Sequence, residues 1–483
     1  MTLNAVGVKP FPSPPLLVVG WWGAGILAIA LWTSTTNAAE PIRWVGSDSC
    51  ATSTCHGNVE GRGPAWNHAM STWMANDPHA GAGDVLRSQL SRRIVSRLNP
   101  AASQSPDELD RTLRKRCISC HLTATPQDCD DDALLPPDFV AAGVSCEACH
   151  GPAGQWLTAH TGRDWVGDSR FSNGLGMRDT ESIIGRSDTC VRCHIGSRSE
   201  DSMVRDMNHD LIAAGHPALR FDLLIYNQNL PPHWDPQGEP ERPFMESPMR
   251  VRSVSRAINL ATAATLSAQR ATAFVADHSV PWPEFADYDC FACHQSLSIE
   301  EFKLPPRDRT KSPLHVSDGL PVWNSWHTVR QLELRDSPDL LQKLSPHQSD
   351  PPQIAKSGLS LAQKYRQVAK SKLTETAKPY DSIRDVLRLI RTRQPVDWHE
   401  AAILYLDLDA AGRQIASQDD SADAGREILL GLEDVERMLR FDPDRSVDQP
   451  SVIHSPAAFD PAMFGPTLDK IFTDKLPTNL ESP

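Results

Sequence analysis

Four Cys-x-x-Cys-His motifs constrain this chain more than any other feature of its sequence. They are Cys117-Ile-Ser-Cys120-His121, Cys146-Glu-Ala-Cys149-His150, Cys190-Val-Arg-Cys193-His194 and Cys290-Phe-Ala-Cys293-His294. Two cysteines at this spacing can form thioethers with both vinyl groups of one porphyrin, while the adjacent imidazole binds the iron. Paired cysteines also build zinc sites, but a zinc ribbon has no use for a histidine after every pair. The motifs therefore predict four covalently attached c-type haems.

A further motif, Cys50-Ala-Thr-Ser-Thr-Cys55-His56, is the first along the chain and has a wider loop between its two cysteines, so that the motif at 290–294 is the fifth. The alternative interpretation is a disulfide between Cys50 and Cys55. Beside four regular motifs we prefer a fifth attachment site, so the expected cofactor content is five haem c groups. Of the eleven cysteines only Cys129 is left over, and we expect it to be a plain thiol.

The histidines outside the motifs bear on what the haems can do. An iron with two imidazole ligands is saturated and suits electron transfer, whereas an open position allows chemistry on small molecules. The candidates for second ligands are seven histidines in the same region: His68, His79, His160, His209, His216, His233 and His278. We expect the second ligands to come from His79, His160, His209, His216 and His68, and we keep His233 as a further candidate.

Several phrases around these motifs resemble the cytochrome c-554 class of multihaem cytochromes, in its larger form with an additional helical region. They include Gly46-Ser-Asp-Ser-Cys-Ala-Thr-Ser-Thr-Cys-His-Gly57, Gly143-Val-Ser-Cys-Glu-Ala-Cys-His-Gly-Pro152, Asp206-Met-Asn-His-Asp-Leu-Ile-Ala-Ala-Gly-His-Pro217 and Pro232-His-Trp234. The resemblance implies closely spaced haems with mostly two histidine ligands, and it supports the wider first motif. It also supports His79, His160, His209 and His216 as second ligands.

Three functions of different kinds stay open at this point. The first is an electron carrier between redox partners. The second is an enzyme with one open haem that acts on a small nitrogen compound such as hydroxylamine or nitrite. No motif replaces its last histidine by lysine, as the related ammonia-forming nitrite reductases do, and this difference favours the carrier. The third is a structural subunit whose helical region organises a larger respiratory assembly.

The N-terminal sequence predicts export. An apolar run from Leu16 to Trp32 is followed by the small residues Ala38 and Ala39. This pattern is typical of a signal peptide over residues 1–39, or of a retained membrane anchor through residues 16–32. Residues after 40 are expected in the periplasm or elsewhere outside the cytoplasm. The formal charge of -13 argues against nucleic acid and favours redox partners with a basic docking face.

The predicted fold class is mainly α with extensive irregular loops. A multihaem domain is expected at 40–235, a long helix and the fifth haem site at 236–310, a linker at 311–353, and a helical domain with an irregular tail at 354–483. Small and apolar residues recur at spacings of three and four through a predicted helix at 250–277: Val254, Ile258, Ala261, Ala264, Ala268, Ala271 and Val275. The same periodicity predicts helices at 354–371, 378–392, 397–416 and 421–440.

Overall fold

The computed structural model describes one region around the first four motifs and a second, helical region. The described residues are 43–59, 63–130, 134–165, 167, 169–198, 203–216, 219, 221–233, 247–287, 350–392, 398–418, 421–440 and 460–473. All of them belong to the unit Ile42–Pro483. The motif at 290–294 and the apolar run at 16–32 lie outside the described residues. The domain boundaries therefore stay predictions.

The region that carries the first four motifs consists of short helices joined by loops. The helices are α1 (Ala69–Asn76), α2 (Gln89–Leu98), α3 (Pro106–Arg116), α4 (Ile118–His121), α5 (Pro126–Asp130), α6 (Pro137–Ala141), α7 (Cys146–His150), α8 (Ser169–Ser172), α9 (Ile183–His194), α10 (His209–Ala214) and α11 (Leu223–Asn229). Among the described residues, the β pairing is confined to one bridge between Ser197 and Arg205. The prediction of a mainly α fold is confirmed.

Three of these helices carry regular haem motifs, and local sequence fixes where they begin or end. The Ser182 side chain caps α9 by accepting the N–H of Gly185 at 3.0 Å, which leaves the motif in the last two turns. After α7 the chain turns at Gly151, whose φ of 84° is readily adopted only by glycine. A Cβ at Gly151 would also lie 2.2 Å from the carbonyl oxygen of Gly176, so the turn needs glycine for two reasons.

One long helix, α12 (Pro248–Ala276), lies against both regions of the chain. It packs on α9, which carries the fourth motif, and its small residues face a helix of the C-terminal region. Of the predicted face, residues 254 to 271 are buried, whereas Val275 is 46 % exposed because it lies in the last turn, beyond the packed part. The helical periodicity thus predicted the buried face of α12 correctly except at its last position, Val275.

Buried ion pairs attach α12 to the elements around it. The guanidinium of Arg252 contacts the carboxylates of Asp222, the cap of α11, and of Asp407 in the C-terminal region. Arg256 also binds Asp407, with 2.8 Å between nitrogen and oxygen. At its other end Arg270 pairs with Asp206, in the loop before α10. Removal of one partner of a buried ion pair strongly destabilises the folded protein, because the other charge is left uncompensated. These contacts therefore help to fix the position of α12 between its neighbours.

The C-terminal region is a set of amphipathic helices. They are α13 (Pro351–Lys372), α14 (Pro379–Thr392), α15 (Trp398–Ala416), α16 (Ala422–Leu439) and α17 (Pro461–Phe472). The first four match the predicted helices closely, although α13 begins inside the predicted linker. The fifth helix replaces part of the predicted irregular tail. Its Phe464, Leu468 and Phe472 are buried against α14, α15 and α16. None of the helices in the described part of the chain is long and apolar enough to cross a membrane.

Candidate haem sites

Every motif histidine that the structure describes faces a second histidine from another part of the chain. The distances between ring centres are 6.2 Å for His56 and His160, 6.3 Å for His121 and His216, 6.3 Å for His150 and His233, and 6.2 Å for His194 and His79. The rings are nearly parallel in the first pair, at 16°, and steeply inclined in the others, at 68–82°. Four pairs therefore share one separation in spite of different orientations.

This separation is the one that a metal between two imidazoles requires. Two metal–nitrogen bonds of about 2 Å, with about 1 Å from each nitrogen to its ring centre, place the centres about 6 Å apart. Aromatic rings that pack directly on His194 are closer, with Phe221 at 5.1 Å and Tyr226 at 5.0 Å. The residues present thus fit an iron bound from both sides, and the wider motif at 50–56 fits as well as the regular ones.

Hydrogen bonds at Nδ1 fix the tautomer of several of these histidines. A carbonyl oxygen only accepts, so an Nδ1 atom that contacts one must carry the proton, which leaves the lone pair on Nε2 for a metal. Nδ1 donates to the carbonyl oxygen of Trp66 from His56 at 2.7 Å, of Ala82 from His121 at 2.9 Å and of Leu157 from His160 at 2.5 Å. Such contacts orient the imidazole rings.

Burial keeps several of the paired histidines neutral. Loss of solvation lowers the pKa of His150 and of His194 to about 4, and it also lowers the pKa of His121 and of His233. A protonated imidazole cannot bind a metal, so a lowered pKa keeps the binding form present at neutral pH. His79 differs, because its hydrogen bond with Asp77 raises its pKa.

The pairs sort the histidines that the sequence singled out. His79, His160 and His216 each face a motif histidine, as expected. His233 does so too, although the preferred set had His68 in its place. The Nδ1 atom of His68 instead lies 3.0 Å from the hydroxyl of Thr72, and His278 stacks on Phe274. The only sequence signal for His233 was the phrase at 232–234, because a proline-rich stretch otherwise indicates a linker.

His209, the remaining expected ligand, lies beside the segment that leads to the fifth motif. Its backbone N–H donates to the carboxylate of Glu284 at 2.8 Å, and its ring centre is 5.6 Å from that of Phe285. The motif at 290–294 begins a few residues further along the chain. The partner histidine of that motif, His294, is outside the described residues, so the pairing of His209 stays a prediction.

Cysteines from different motifs lie next to each other. The sulfur atom of Cys50 lies close to that of Cys146, and the sulfur atom of Cys120 lies close to that of Cys193. Among the described residues, no disulfide joins Cys50 to Cys55. The attachment sites of the first and third motifs are therefore neighbours, as are those of the second and fourth.

Positive side chains gather between the second and fourth attachment sites. A small cavity beside Cys120 and Cys193 is lined by Arg178, Arg192 and Arg205. Guanidinium groups bind carboxylates well, and the propionates of a haem are carboxylates. The donors around this cavity thus suit the acidic edge of the cofactor as well as the histidines suit its iron.

Glu147, inside the third motif, ties the segment before the first motif in place. Its buried carboxylate accepts the backbone N–H groups of Val45 at 3.1 Å, Gly46 at 2.8 Å and Ala153 at 2.7 Å. The N–H of Ala153 is buried and would otherwise lack a strong acceptor, whereas Val45 is half-buried and Gly46 is exposed. The carboxylate therefore couples the position of Cys50 to that of Cys146.

The region around the first three motifs resembles known proteins. Residues 49–151 match the family model of cytochrome c554 and c-prime. Over 152 residues the chain is 28 % identical to cytochrome c-554 of Nitrosomonas europaea, which covers 31 % of this chain and 52 % of that protein. These matches support a multihaem cytochrome of the cytochrome c-554 class. Covalently bound haem c follows from that class. The chain spans about half the length of the relative, and no solved structure matches.

Proposed function

We propose that this chain is an exported c-type cytochrome that carries electrons between redox partners through five haems with paired histidine ligands. The observation that carries the proposal is the separation of 6.2–6.3 Å in four histidine pairs. Haem c supplies one-electron chemistry when it is bound. The cysteines of the motifs would attach it, and a histidine pair would bind its iron from both sides, which would leave no place on the iron for a substrate.

The histidine pairs support one second ligand for each described motif. His160 serves the motif of His56, His216 that of His121, and His233 that of His150, while His79 serves that of His194. For the fifth motif, His209 is the candidate that best fits, because its contacts with Glu284 and Phe285 bring it next to the approaching chain. The five pairs together leave His68 and His278 without a role at an iron.

The neighbouring attachment sites support passage of electrons from one haem to the next. Contacts between Cys50 and Cys146 and between Cys120 and Cys193 join the sites in two couples. Cys149 and Cys193 are close enough for electrostatic interaction, which links the couples to each other. The order of sites supported by these contacts is first, third, fourth and second motif.

Export and an acidic surface complete the proposal. The apolar run at 16–32 with Ala38 and Ala39 supports translocation across a membrane, with cleavage or retention as an anchor both consistent. The formal charge of -13 supports partners that dock through basic faces. Association with such a partner should slow as salt is added, because screening removes the long-range attraction.

Haem counting and spin-state measurement on the purified holoprotein test this function. We expect five haems per chain and a low-spin spectrum for all five. The nearly parallel first pair and the inclined others should give two classes of low-spin electron paramagnetic resonance signal. Four haems per chain would contradict the five-haem proposal. A high-spin signal of one haem that shifts with hydroxylamine, nitrite or carbon monoxide would favour the enzyme instead.

A further inference from the structure

A buried carboxylate contacts one of the paired histidines. Asp77, at the end of α1, is 8 % exposed, and its Oδ1 atom accepts both the backbone N–H and the Nδ1–H of His79, each at 2.9 Å. The backbone of Asp77 is itself held by a hydrogen bond from its N–H to the carbonyl oxygen of Trp73 at 3.1 Å. The carboxylate is thus fixed in position at the Nδ1 atom of the His79 ring, which leaves Nε2 for the metal.

This contact is of a different kind from those at the other paired histidines. Where the structure gives the partner of Nδ1, that partner is otherwise a neutral oxygen: Trp66 for His56, Ala82 for His121, Leu157 for His160, Pro231 for His233 and Thr180 for His150. Among the described paired histidines whose Nδ1 partner the structure gives, His79 is therefore the one that is hydrogen-bonded to a carboxylate.

A carboxylate acceptor changes the ligand more than a carbonyl does. It draws the Nδ1 proton toward itself, so that Nε2 becomes a stronger electron donor to the metal. A better donor and a nearby negative charge both stabilise the oxidised iron relative to the reduced iron. The small exposure of Asp77 limits screening by water, which makes the effect larger than that of a surface charge.

We propose that Asp77 is a positioning residue that acts through His79 to lower the reduction potential of the haem held by His194. The proposal rests on the proposed function, in which His79 is an iron ligand. Asp77 also fixes the plane of the His79 ring, because its Oδ1 atom accepts hydrogen bonds from both the backbone and the side chain of that residue. It adds no bond to the iron itself.

The place of this site gives the lowered potential a consequence. Cys193 is close to Cys120 of the second motif and interacts electrostatically with Cys149 of the third. These contacts favour a route between the two couples of sites through the haem of the fourth motif. For given potentials of the neighbouring haems, a lower potential makes the haem of the fourth motif harder to reduce. Asp77 would therefore affect the rate of electron exchange between the two couples of sites.

The test is a spectroelectrochemical titration of the holoprotein and of three variants. Asp77→Asn keeps an oxygen for both hydrogen bonds and removes only the charge, so one component should shift to a more positive potential while all haems stay low-spin. Asp77→Glu, which restores the charge, should bring that component back toward the value of the unmodified protein. Asp84→Asn removes an exposed carboxylate nearby and should shift nothing.

A fourth variant, His79→Ala, separates failure of this proposal from failure of the ligand assignment. If it turns one haem high-spin while Asp77→Asn moves no potential, or moves one in the negative direction, the role of Asp77 is overturned and His79 remains a ligand. If every haem stays low-spin in His79→Ala, the ligand assignment falls and the role of Asp77 falls with it. A positive shift in Asp77→Asn with rescue by Asp77→Glu supports the proposal.

Discussion

Replacement of Glu147 by glutamine should loosen the segment that leads into the first motif. The carboxylate holds three backbone N–H groups with two oxygens, as described above. A glutamine side chain has one oxygen and one NH₂ group, and the NH₂ group cannot accept. Whichever way the amide turns, either Gly46 or Ala153 loses its acceptor.

The size of the effect follows from these contacts. A buried N–H without a partner costs about 1–3 kcal/mol, and hydrogen bonds to a charged acceptor contribute more than those to a neutral one. Because Ala153 is buried and Gly46 is exposed, the lost hydrogen bond to the charge gives about 1–3 kcal/mol. That free energy corresponds to about a 5- to 150-fold rise in the equilibrium constant for local opening.

Native-state amide hydrogen exchange measures this opening directly. Global unfolding would be a poor measure, since a protein with bound cofactors does not unfold in two states. We expect exchange to accelerate by the stated factor in a peptide spanning Val45 and Gly46 or in one spanning Ala153, with little change in α13 or α16. Asp48→Asn, which removes an exposed carboxylate from the same segment, is the matched control. Exchange within about threefold of the unmodified protein would refute the assigned role of Glu147.

Three further predictions concern other contacts. His233→Ala should turn one haem high-spin, visible by electron paramagnetic resonance, whereas His68→Ala should leave all haems low-spin; the reverse result would contradict the pairing. Gly358→Leu should destabilise the packing of α13 on α12 by at least about 2 kcal/mol, measured by native-state hydrogen exchange in α13, because even a Cβ there lies 2.7 Å from the carbonyl oxygen of Ala264. Asp407→Asn should lower the local stability of α12 and α15, measured in the same way at neutral pH, by about 2–4 kcal/mol. Burial would raise the pKa of Asp407, but the two arginines beside it hold that pKa below 3.8. Its contribution is therefore present above pH 3.8 and lost as the pH falls through the lower folded pKa, so the two proteins should converge in acid unfolding, and a constant gap would count against it.

Local periodicity was enough to predict the long helices. The predicted starts and ends of α12, α14, α15 and α16 lie within about two residues of those observed, because each helix buries one continuous apolar face. The helix α17 was missed because Pro461 and Pro466 indicate irregular chain. Pro461 occupies the first turn, where a missing N–H does no harm, and Phe464, Leu468 and Phe472 provide the buried face.

The sequence was less informative where tertiary contacts decide the structure. The sequence pattern from His79 to Leu86 predicts an amphipathic helix, but these residues form the 3-10 turns Ala80–Ala82 and Asp84–Arg87. Gly83 explains part of the difference, since a Cβ there would lie 1.8 Å from the carbonyl oxygen of Val140. The backbone of another segment approaches too closely for a regular helix with side chains. Sequence periodicity carries no information on such an approach.

The choice of second ligands also depended on tertiary contacts that the sequence does not reveal. As candidates for a second iron ligand, His68 and His233 cannot be distinguished by residue type or by the sequence pattern of the helices next to them. What separates them is the course of a loop: residues 231–233 run past α7, so that the ring of His233 stands opposite that of His150. Each pair joins chain segments that are distant in sequence, and an iron between two such segments acts as a crosslink between them. Most of the apolar residues that this region buries are divided between the cluster around Leu86, Val95 and Ile118 and residues of α9 and α11 that pack on α12. Attachment of haem should therefore supply much of the order of residues 43–233, while the C-terminal helices, with their own continuous apolar cores, should retain their structure in its absence.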